Sequence, residues 1–346
     1  MAYTTIDKPT DYFNTILYSG TGSENSLTVG FQPDWVWIKQ RNGTTNQMLT
    51  DSVRGATKTL HAQNGDQEST DAQALKSFDS NGFTVGTDTD VNGAGGTGGT
   101  YVAWNWLAGG TASSNSNGSI TSSVSANTTA GFSIVSFTGS GSNATVGHGL
   151  GAVPKMFILK VRTQGDRWVV YHDSLGNGNY ISLDRTNAAI DQTDQFNDTS
   201  PTNSVFSLGN SGQTNGVGET FIAYCFAEKK GFSKFSSYQG SGNSDGPYIH
   251  LGFKPAWIMT KRTDSSSGGE WNILDNKRDT FNVADAKLEA NNGDAEETDE
   301  MYDILSNGFK ITRGDGNINA SGGTYIFMAF AESPFVNSNG VPTNAR

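Results

Sequence analysis

The sequence contains one cysteine, Cys225, among its 346 residues. A single thiol excludes a disulfide framework within the chain and any structural zinc site built on cysteines. The longest apolar stretch, residues 325–331, is too short to cross about 30 Å of hydrocarbon, and the N-terminal residues lack the apolar region of a secretion signal. We therefore expect a chain that is made in a cytoplasm, is not inserted into a membrane, and owes its stability to packing.

Charged residues are scarce as well, at 16% of the chain. The 34 acidic side chains outnumber the 23 basic ones, and the resulting net charge of −11 repels phosphate backbones. Nucleic acid is therefore excluded as an expected partner. Aromatic residues make up 11% of the chain, which supplies large side chains for a core and argues against disorder.

Three sequence landmarks recur three times along the chain, and such internal repeats govern the interpretation of the whole fold. The first is an aromatic-rich segment that ends in glycine: FNTILYSG at 13–20, FSIVSFTG at 132–139 and FSKFSSYQG at 232–240. The second is GFQPDWVWIK at 30–39, GAVPKMFILK at 151–160 and GFKPAWIMTK at 252–261. The third is GTYVAW at 99–104, ETFIAY at 219–224 and GTYIFM at 323–328.

The spacing between landmarks defines the expected domains. The proline of the second landmark precedes the aromatic of the third by 68, 67 and 70 residues in the three copies, which chance alone does not explain. The predicted division is an N-terminal arm (1–11), three β domains (12–108, 131–228 and 231–332), a linker (109–130) and a C-terminal tail (333–346). The linker is rich in Ser, Gly and Asn and is expected to be flexible.

The landmarks have the composition of β-strands. They are short, rich in β-branched and aromatic residues, and separated by clusters of Gly, Asn, Asp and Ser. Asn81-Gly82 and Asn307-Gly308 are typical of tight turns with φ > 0. We expect an all-β protein of three tandem repeated β-sandwich domains, jelly-roll or lectin-like, with at most short helices at 71–79 and 296–305.

Strand alternation makes a specific prediction for the second landmark. Trp35 and Trp37 should point to one face of their strand while Val36 and Ile38 take the other, and replacement by Phe157 or Trp257 in the other copies favours a core position.

The histidines suggest no catalytic or metal site. His61, His148, His172 and His250 do not recur at metal-ligand spacing. His172-Asp173 resembles part of a catalytic triad, but the other copies align Thr50-Asp51 and Leu274-Asp275 with it, which indicates a structural carboxylate at a strand end. We therefore expect no enzymatic activity and no cofactor.

Asp88, Asp90 and Asn92 match the opening of a calcium-binding loop, in which alternate oxygen ligands converge on one cation. The glutamate expected at the twelfth position is replaced by Gly99. These three residues are the main metal candidates, and the third copy offers Asp315, Asn317 and Asn319. An ordinary turn is the competing interpretation.

The tryptophans offer two interpretations. Trp104 and Trp106 are candidates for stacking against a sugar, as part of a lectin-like module. The alternative is that they belong to the core, because large aromatic side chains dominate the energetics of protein interiors.

Nearly the whole chain, and most specifically its first copy, resembles a family of uncharacterised virion proteins of tailed bacteriophages. The resemblance lies in the opening MAYTTID, in GFQPDWVWIK and in GTYVAWNW at 99–106. It implies a non-enzymatic structural component of the virion, tail-associated as a fibre, baseplate or receptor-binding appendage, that contacts other virion proteins and host polysaccharide or a surface receptor. A capsid decoration or head-fibre protein and a glycan-binding module are the alternatives. A homotrimer is one expected assembly, and a pseudo-threefold unit within one chain is the other.

Overall fold

Strands account for most of the regular secondary structure in the computed structural model, which describes residues 2–94 and 98–343. The α-helices within this part of the chain are single turns of four residues. The structure confirms the predicted all-β class with short helices. No helix among the described residues is both long enough and apolar enough to span a membrane.

The strands form three successive groups, which we call units 1, 2 and 3. Unit 1 contains β1 (Phe13–Ser19), β2 (Asn25–Thr28), β3 (Trp35–Gln40), β4 (Met48–Asp51), β5 (Lys58–His61), β6 (Ser69–Thr70), β7 (Leu75–Asp79), β8 (Gly82–Val85), α1 (Thr89–Asn92) and β9 (Thr100–Trp106). Strands β10 (Ser113–Asn115) and β11 (Ser122–Asn127) follow it.

Unit 2 contains β12 (Phe132–Thr138), β13 (Ala144–Gly147), β14 (Met156–Val161), β15 (Val169–His172), β16 (Asn179–Ser182), β17 (Ile190–Asp191), α2 (Thr193–Phe196), β18 (Val205–Leu208), α3 (Gly212–Asn215) and β19 (Thr220–Phe226). Unit 3 contains β20 (Ser233–Gln239), β21 (Tyr248–His250), β22 (Phe253–Arg262), β23 (Trp271–Asp275), β24 (Ala284–Glu289), β25 (Glu297–Leu305), β26 (Gly308–Ile311) and β27 (Thr324–Pro334). Short 3₁₀ turns lie at Pro9–Asp11 and Asp173–Leu175.

The three units share one strand order. The large antiparallel sheets run β1-β9-β3-β4-β5-β6 in unit 1, β12-β19-β14-β15-β16-β17 in unit 2 and β20-β27-β22-β23-β24-β25 in unit 3. Strands β2, β8 and β7 form a small second sheet in unit 1, and β13 and β18 do so in unit 2. In unit 3 the counterparts β26 and β21 continue the large sheet beyond β25.

Each large sheet is buried on both faces. Trp35 and Trp37 face a central hydrophobic cluster, whereas Val36 and Ile38 face an outer core of unit 1, which confirms the predicted alternation. The central cluster contains residues from all three units, and each unit adds a separate outer core. The units therefore share one interior, and unit 1 is not free to pivot.

The predicted flexible linker is wrong. Residues 113–115 and 122–127 form strands β10 and β11, and β11 pairs with β12 at the edge of the unit 2 sheet. Composition alone could not predict that this segment is ordered, because an edge strand that lies later in the chain stabilises it. Val124 also contributes to the outer core of unit 2.

The two predicted helices are also wrong, because both segments form strands. Residues 75–79 and 297–305 are the first strands of hairpins that turn at Ser80-Asn81 and Ser306-Asn307. The tight turns are present, but neither Gly82 nor Gly308 has positive φ. Glycine is required there for another reason: a Cβ atom at Gly82 would lie 1.8 Å from the Leu27 carbonyl oxygen of the paired strand.

Equivalent side chains connect the units in a closed ring. Each donor lies at or just before the start of the fourth strand of its unit. Each acceptor is the carbonyl at the end of the fifth strand of the preceding unit, and unit 3 takes that place for unit 1. The three hydrogen bonds run from Trp168 Nε1 to His61 (2.8 Å), from Trp271 Nε1 to Ser182 (2.8 Å) and from Gln47 Nε2 to Glu289. Equivalent hydrogen bonds therefore join the three units in a ring within the one chain.

The lysine that ends the second landmark is buried in every unit. Lys160 donates to the Gly65 carbonyl of unit 1 (3.2 Å), and Lys261 donates to the Asn187 carbonyl of unit 2 (2.9 Å). Lys39 donates to Gly43 within its own unit (2.9 Å). Burial lowers the pKa of Lys39 and Lys160 to about 8 and that of Lys261 to about 7.

Two of the three boundaries between units contain the same buried ionic network. Between units 1 and 3, Asp275 accepts from Arg278 Nε (2.6 Å) and Trp104 Nε1 (3.0 Å), and Glu296 accepts from Arg278 (3.0 Å) and Arg41 (2.9 Å). Between units 1 and 2, the same positions are held by Asp51, Arg54, Tyr224, Glu68 and Arg162.

The third boundary, between units 2 and 3, lacks this network. The strand register pairs His172 with Met156, as Asp51 pairs with Trp35, so His172 and not Asp173 occupies the position of the buried carboxylate. Its ring Nε2 lies 3.3 Å from the carbonyl oxygen of Phe327. Burial lowers the pKa of His172 to about 4.

Replacing Arg278 by leucine should destabilise the fold by about 3–5 kcal/mol, because the change leaves the buried carboxylate of Asp275 without its charged partner. Leu175 occupies the equivalent position of unit 2, so Leu175→Met is the matched control, with an expected loss of about 1 kcal/mol. Guanidinium unfolding measures both values. Equal losses for the two variants would contradict the stabilising role of the network.

The buried His172 should make stability depend on pH. Its folded pKa of about 4 lies below the unfolded value of about 6.5, so in this range the unfolded chain binds the proton more readily. As pH falls from 7 to 4, the wild type should lose up to about 3 kcal/mol relative to His172→Gln, which cannot titrate. The difference between the two unfolding free energies, measured across this range, cancels the other titrating groups. Parallel profiles would contradict the expectation.

Candidate binding groove

The predicted calcium positions are engaged in hydrogen bonds within unit 1. Asp88 is the N-cap of α1 and accepts from the Asp90 amide (2.7 Å). The Asp90 carboxylate in turn accepts from the Asn46 side chain (2.7 Å). Burial, and a hydrogen bond with Asp71, raise the pKa of Asp88 to about 6. Among the described residues, no three acidic, His or Cys side chains are arranged to hold a metal ion.

Asn92 has a structural role that recurs in every unit. Its side-chain amide accepts from the Thr21 backbone (2.9 Å) and donates to the carbonyls of Ser23 and Gly86 (2.6 Å to Gly86). These bonds tie the turn between β1 and β2 to the loop that follows β8. Asn215 and Asn319 make the equivalent bonds in units 2 and 3. The calcium-like pattern therefore corresponds to a repeated capping and bridging element.

The sugar-stacking prediction for Trp104 and Trp106 is wrong. The two side chains are 0% and 1% exposed, and both lie in the central cluster. Trp106 packs edge-on against Trp257 of unit 3, with ring centroids 5.8 Å apart. A saccharide cannot reach either ring, so the core interpretation is the one that the structure supports.

The most exposed aromatic side chain lies on a loop that sequence reasoning did not single out. The register places Ile273 opposite Leu288, Leu49 opposite Leu60 and Val170 opposite Ile181, so the hairpin between β23 and β24 is four residues longer than its counterparts in units 1 and 2. This longer loop carries Phe281, which is 84% exposed. A comparison of loop lengths between the repeats would have identified it.

Phe281 stands at a groove of about 880 Å³ on unit 3, which we call the unit 3 groove. Asn282 fixes the loop, because its side chain donates to the Ile304 carbonyl (3.0 Å) and accepts from the Ile304 amide (2.8 Å). Residues with polar or charged side chains make up most of the remaining lining, including Lys254, Asn276, Lys277, Asn307 and Glu332.

The groove continues into a small cavity of about 20 Å³ at the boundary with unit 1. Thr15 Oγ1 and Asn276 Oδ1 line this cavity, are buried, and have no hydrogen-bond partner in the part of the chain that the structure describes. Buried polar atoms of this kind are normally satisfied by water or by a ligand. The cavity is large enough for one water molecule, which would satisfy these atoms.

Four charged side chains line the groove and set its electrostatics. Lys277 is exposed and forms no ion pair with the described residues, whereas Lys254 is paired with Glu332 at 2.6 Å. Burial raises the pKa of the nearby Asp279 to about 6, and its carboxylate accepts from the Ala286 amide (3.2 Å). An exposed ring, an unpaired ammonium group and a polar lining can together bind a polar ligand with an apolar face.

Comparison with known proteins identifies one family. Residues 8–334 match the family described as a domain of unknown function (DUF7483). Neither the curated proteins nor the solved structures contain a match to the chain.

Replacing Asn92 by alanine should destabilise the protein by about 2 kcal/mol or more, because the change leaves buried backbone groups without partners. The loss should be the same in millimolar calcium and in chelator, since the side chain acts through protein hydrogen bonds. Thermal unfolding in both buffers provides the measurement. A calcium-dependent rise in melting temperature that Asn92→Ala abolishes would instead restore the metal interpretation.

Proposed function

The chain belongs to the DUF7483 family of domains of unknown function, and we propose that it is a non-enzymatic structural component of a bacteriophage virion. Within the particle, the proposed location is the tail, as part of a fibre, the baseplate or a receptor-binding appendage. Its proposed partners are other virion proteins and the host surface.

The observation that carries this proposal is the ring of three similar β units closed by equivalent hydrogen bonds. The ring buries the aromatic residues of three sheets in one interior and leaves polar loops outside it. A ring of this kind within one chain is suited to a rigid component of a particle. Its loops can vary in sequence for recognition while the strands that carry them stay the same.

Sequence features support the same proposal. The resemblance to tailed-phage virion proteins is strongest in unit 1, in GFQPDWVWIK and GTYVAWNW. The net charge of −11 favours solubility and disfavours association with nucleic acid. The one cysteine, Cys225, is buried in β19, so the fold needs no oxidising compartment.

Immunogold labelling of purified phage particles tests the location. An antibody raised against the folded chain should label the tail or its appendages, and preimmune serum should give no labelling. Gold confined to the head would support a capsid decoration or head-fibre protein instead. Detection of the chain in purified particles by mass spectrometry would confirm its incorporation, and its absence from purified particles would contradict the proposal.

The unit 3 groove favours saccharide binding as a second function. Sugar rings present an apolar face and several hydroxyls, which match the exposed ring of Phe281 and the polar lining of the groove, including Lys277 and Asn307. The groove volume of about 880 Å³ is within the range of ligand sites. Such binding would serve contact with host polysaccharide.

A glycan array with host polysaccharides tests this second function. Phe281→Ala should weaken binding about tenfold or more, because aromatic anchors dominate such contacts. Val217→Ala is the matched control, since Val217 is an exposed apolar residue of unit 2 that lies outside the groove. Binding that survives Phe281→Ala, or no binding to any host polysaccharide, would count against saccharide recognition at this groove.

A further inference from the structure

The first strand of each unit lies at the edge of its unit's large sheet, and the three units treat this edge differently. An open strand edge presents unpaired backbone groups that can pair with another strand. In unit 2 the edge is covered, because β11 pairs with β12 over five residues, from Ser123 opposite Ser136 to Asn127 opposite Phe132.

The segment that covers unit 2 also fills the space between its two sheets. The Ile120 amide donates to the Thr145 carbonyl (3.0 Å), and Ile120 forms a parallel bridge with Val146 of β13. Ile120 and Val124 both pack into the outer core of unit 2. As a result, Val135 on β12 and Val146 on β13 are completely buried.

In unit 3 the corresponding edge is protected by polar residues. Lys234 of β20 spans the opening to β21, where its Nζ donates to the His250 carbonyl (2.9 Å). Ser236 and Ser237 follow on the same strand at the positions of Ile16 and Leu17, so this edge offers hydroxyls where unit 1 offers aliphatic side chains. A lysine on an edge strand is a common means of preventing unwanted strand pairing.

Unit 1 lacks a covering strand, and at the position of Lys234 it has the shorter, uncharged Asn14, whose Nδ2 donates to the Val29 carbonyl (2.7 Å). The pairing of β8 with β2 and of β18 with β13 aligns Leu27 with Val146, and the pairing of the first and last strands aligns Ile16 with Val135. A cleft of about 550 Å³ lies between β1 and β2, lined by residues 14–17 and 26–28, at the positions that contact the covering segment in unit 2. Leu17 at this cleft is 41% exposed.

We infer that this unit 1 cleft binds an extended segment of a partner protein by strand addition to β1. Strand addition obtains its affinity from backbone hydrogen bonds and its specificity from side-chain pockets along the strand. The template is the chain's own segment 119–127, which is uncharged and supplies Ile120 and Val124 to the core beneath it.

The chemistry of the cleft defines the partner segment. The strand residues that line the cleft are uncharged, and Lys277 of unit 3 stands beside them. We therefore expect an uncharged, β-prone segment with two aliphatic side chains. A second copy of this chain is a poorer occupant, because its own segment is already paired with β12. The inference goes beyond the proposed function, since it names a protein contact that saccharide binding does not require.

A fluorescent peptide with the sequence of residues 112–128 is a direct probe of the cleft in the full-length chain. Fluorescence anisotropy should show saturable binding of one peptide per chain below about 1 mM. A peptide with Ile120→Asn and Val124→Asn should bind at least tenfold more weakly. The protein variant Leu17→Asp should likewise weaken binding at least tenfold, whereas Ser237→Asp, at the equivalent position of unit 3, should leave it unchanged.

Crosslinking identifies where the peptide binds. A photoreactive group in place of Val124 in the peptide should label residues 14–17 or 26–28. Labelling of residues 132–136 would mean that the peptide had displaced the chain's own strand, and it would overturn the inference. So would an absence of binding at about 1 mM, with folding of the protein confirmed by its unfolding midpoint. Self-association of the chain that Leu17→Asp abolishes would overturn the choice of a separate partner in favour of a second copy.

Discussion

The fold depends on burying the inner faces of three sheets against one another. A single sheet of this kind has apolar side chains on both faces, and its small second sheet covers only the outer one. Trp35 of unit 1 stacks on Tyr224 of unit 2 with ring centroids 4.3 Å apart, and Trp106 packs on Trp257 of unit 3. Each unit therefore completes the interior of its neighbours, which explains why the tryptophans lie where no ligand can reach them.

The departures from threefold symmetry indicate where a ligand or partner would bind. Scaffold positions such as Asn92, Asn215 and Asn319 carry the same residue in every unit because each side chain donates hydrogen bonds that join two loops of its unit. The long loop with Phe281 occurs in unit 3 alone, and the uncovered edge with Leu17 occurs in unit 1 alone. Both features meet at Lys277, so this boundary combines the two surfaces that the shared scaffold does not explain.

The sequence was sufficient to predict the strands, their alternation and the repetition of the landmarks, because these follow from local periodicity. It was insufficient wherever a distant element decides the outcome. The order of residues 113–127 depends on the edge of β12, and the burial of Trp104 depends on Asp275 of another unit. Phe281 required a comparison of loop lengths between copies, and the residues of the unit 1 cleft required the strand register.

The unequal boundaries have a consequence for behaviour with temperature. Unit 1 is joined to both neighbours through buried ionic networks, whereas units 2 and 3 meet without one. The desolvation cost of charged groups falls on heating, and hydrophobic attraction weakens on cooling. Heating therefore stabilises the two boundaries of unit 1 relative to the boundary between units 2 and 3. Cooling weakens the uncharged boundary between units 2 and 3 as well. The boundary between units 2 and 3, although these units are adjacent in the chain, should therefore be the one most sensitive to temperature.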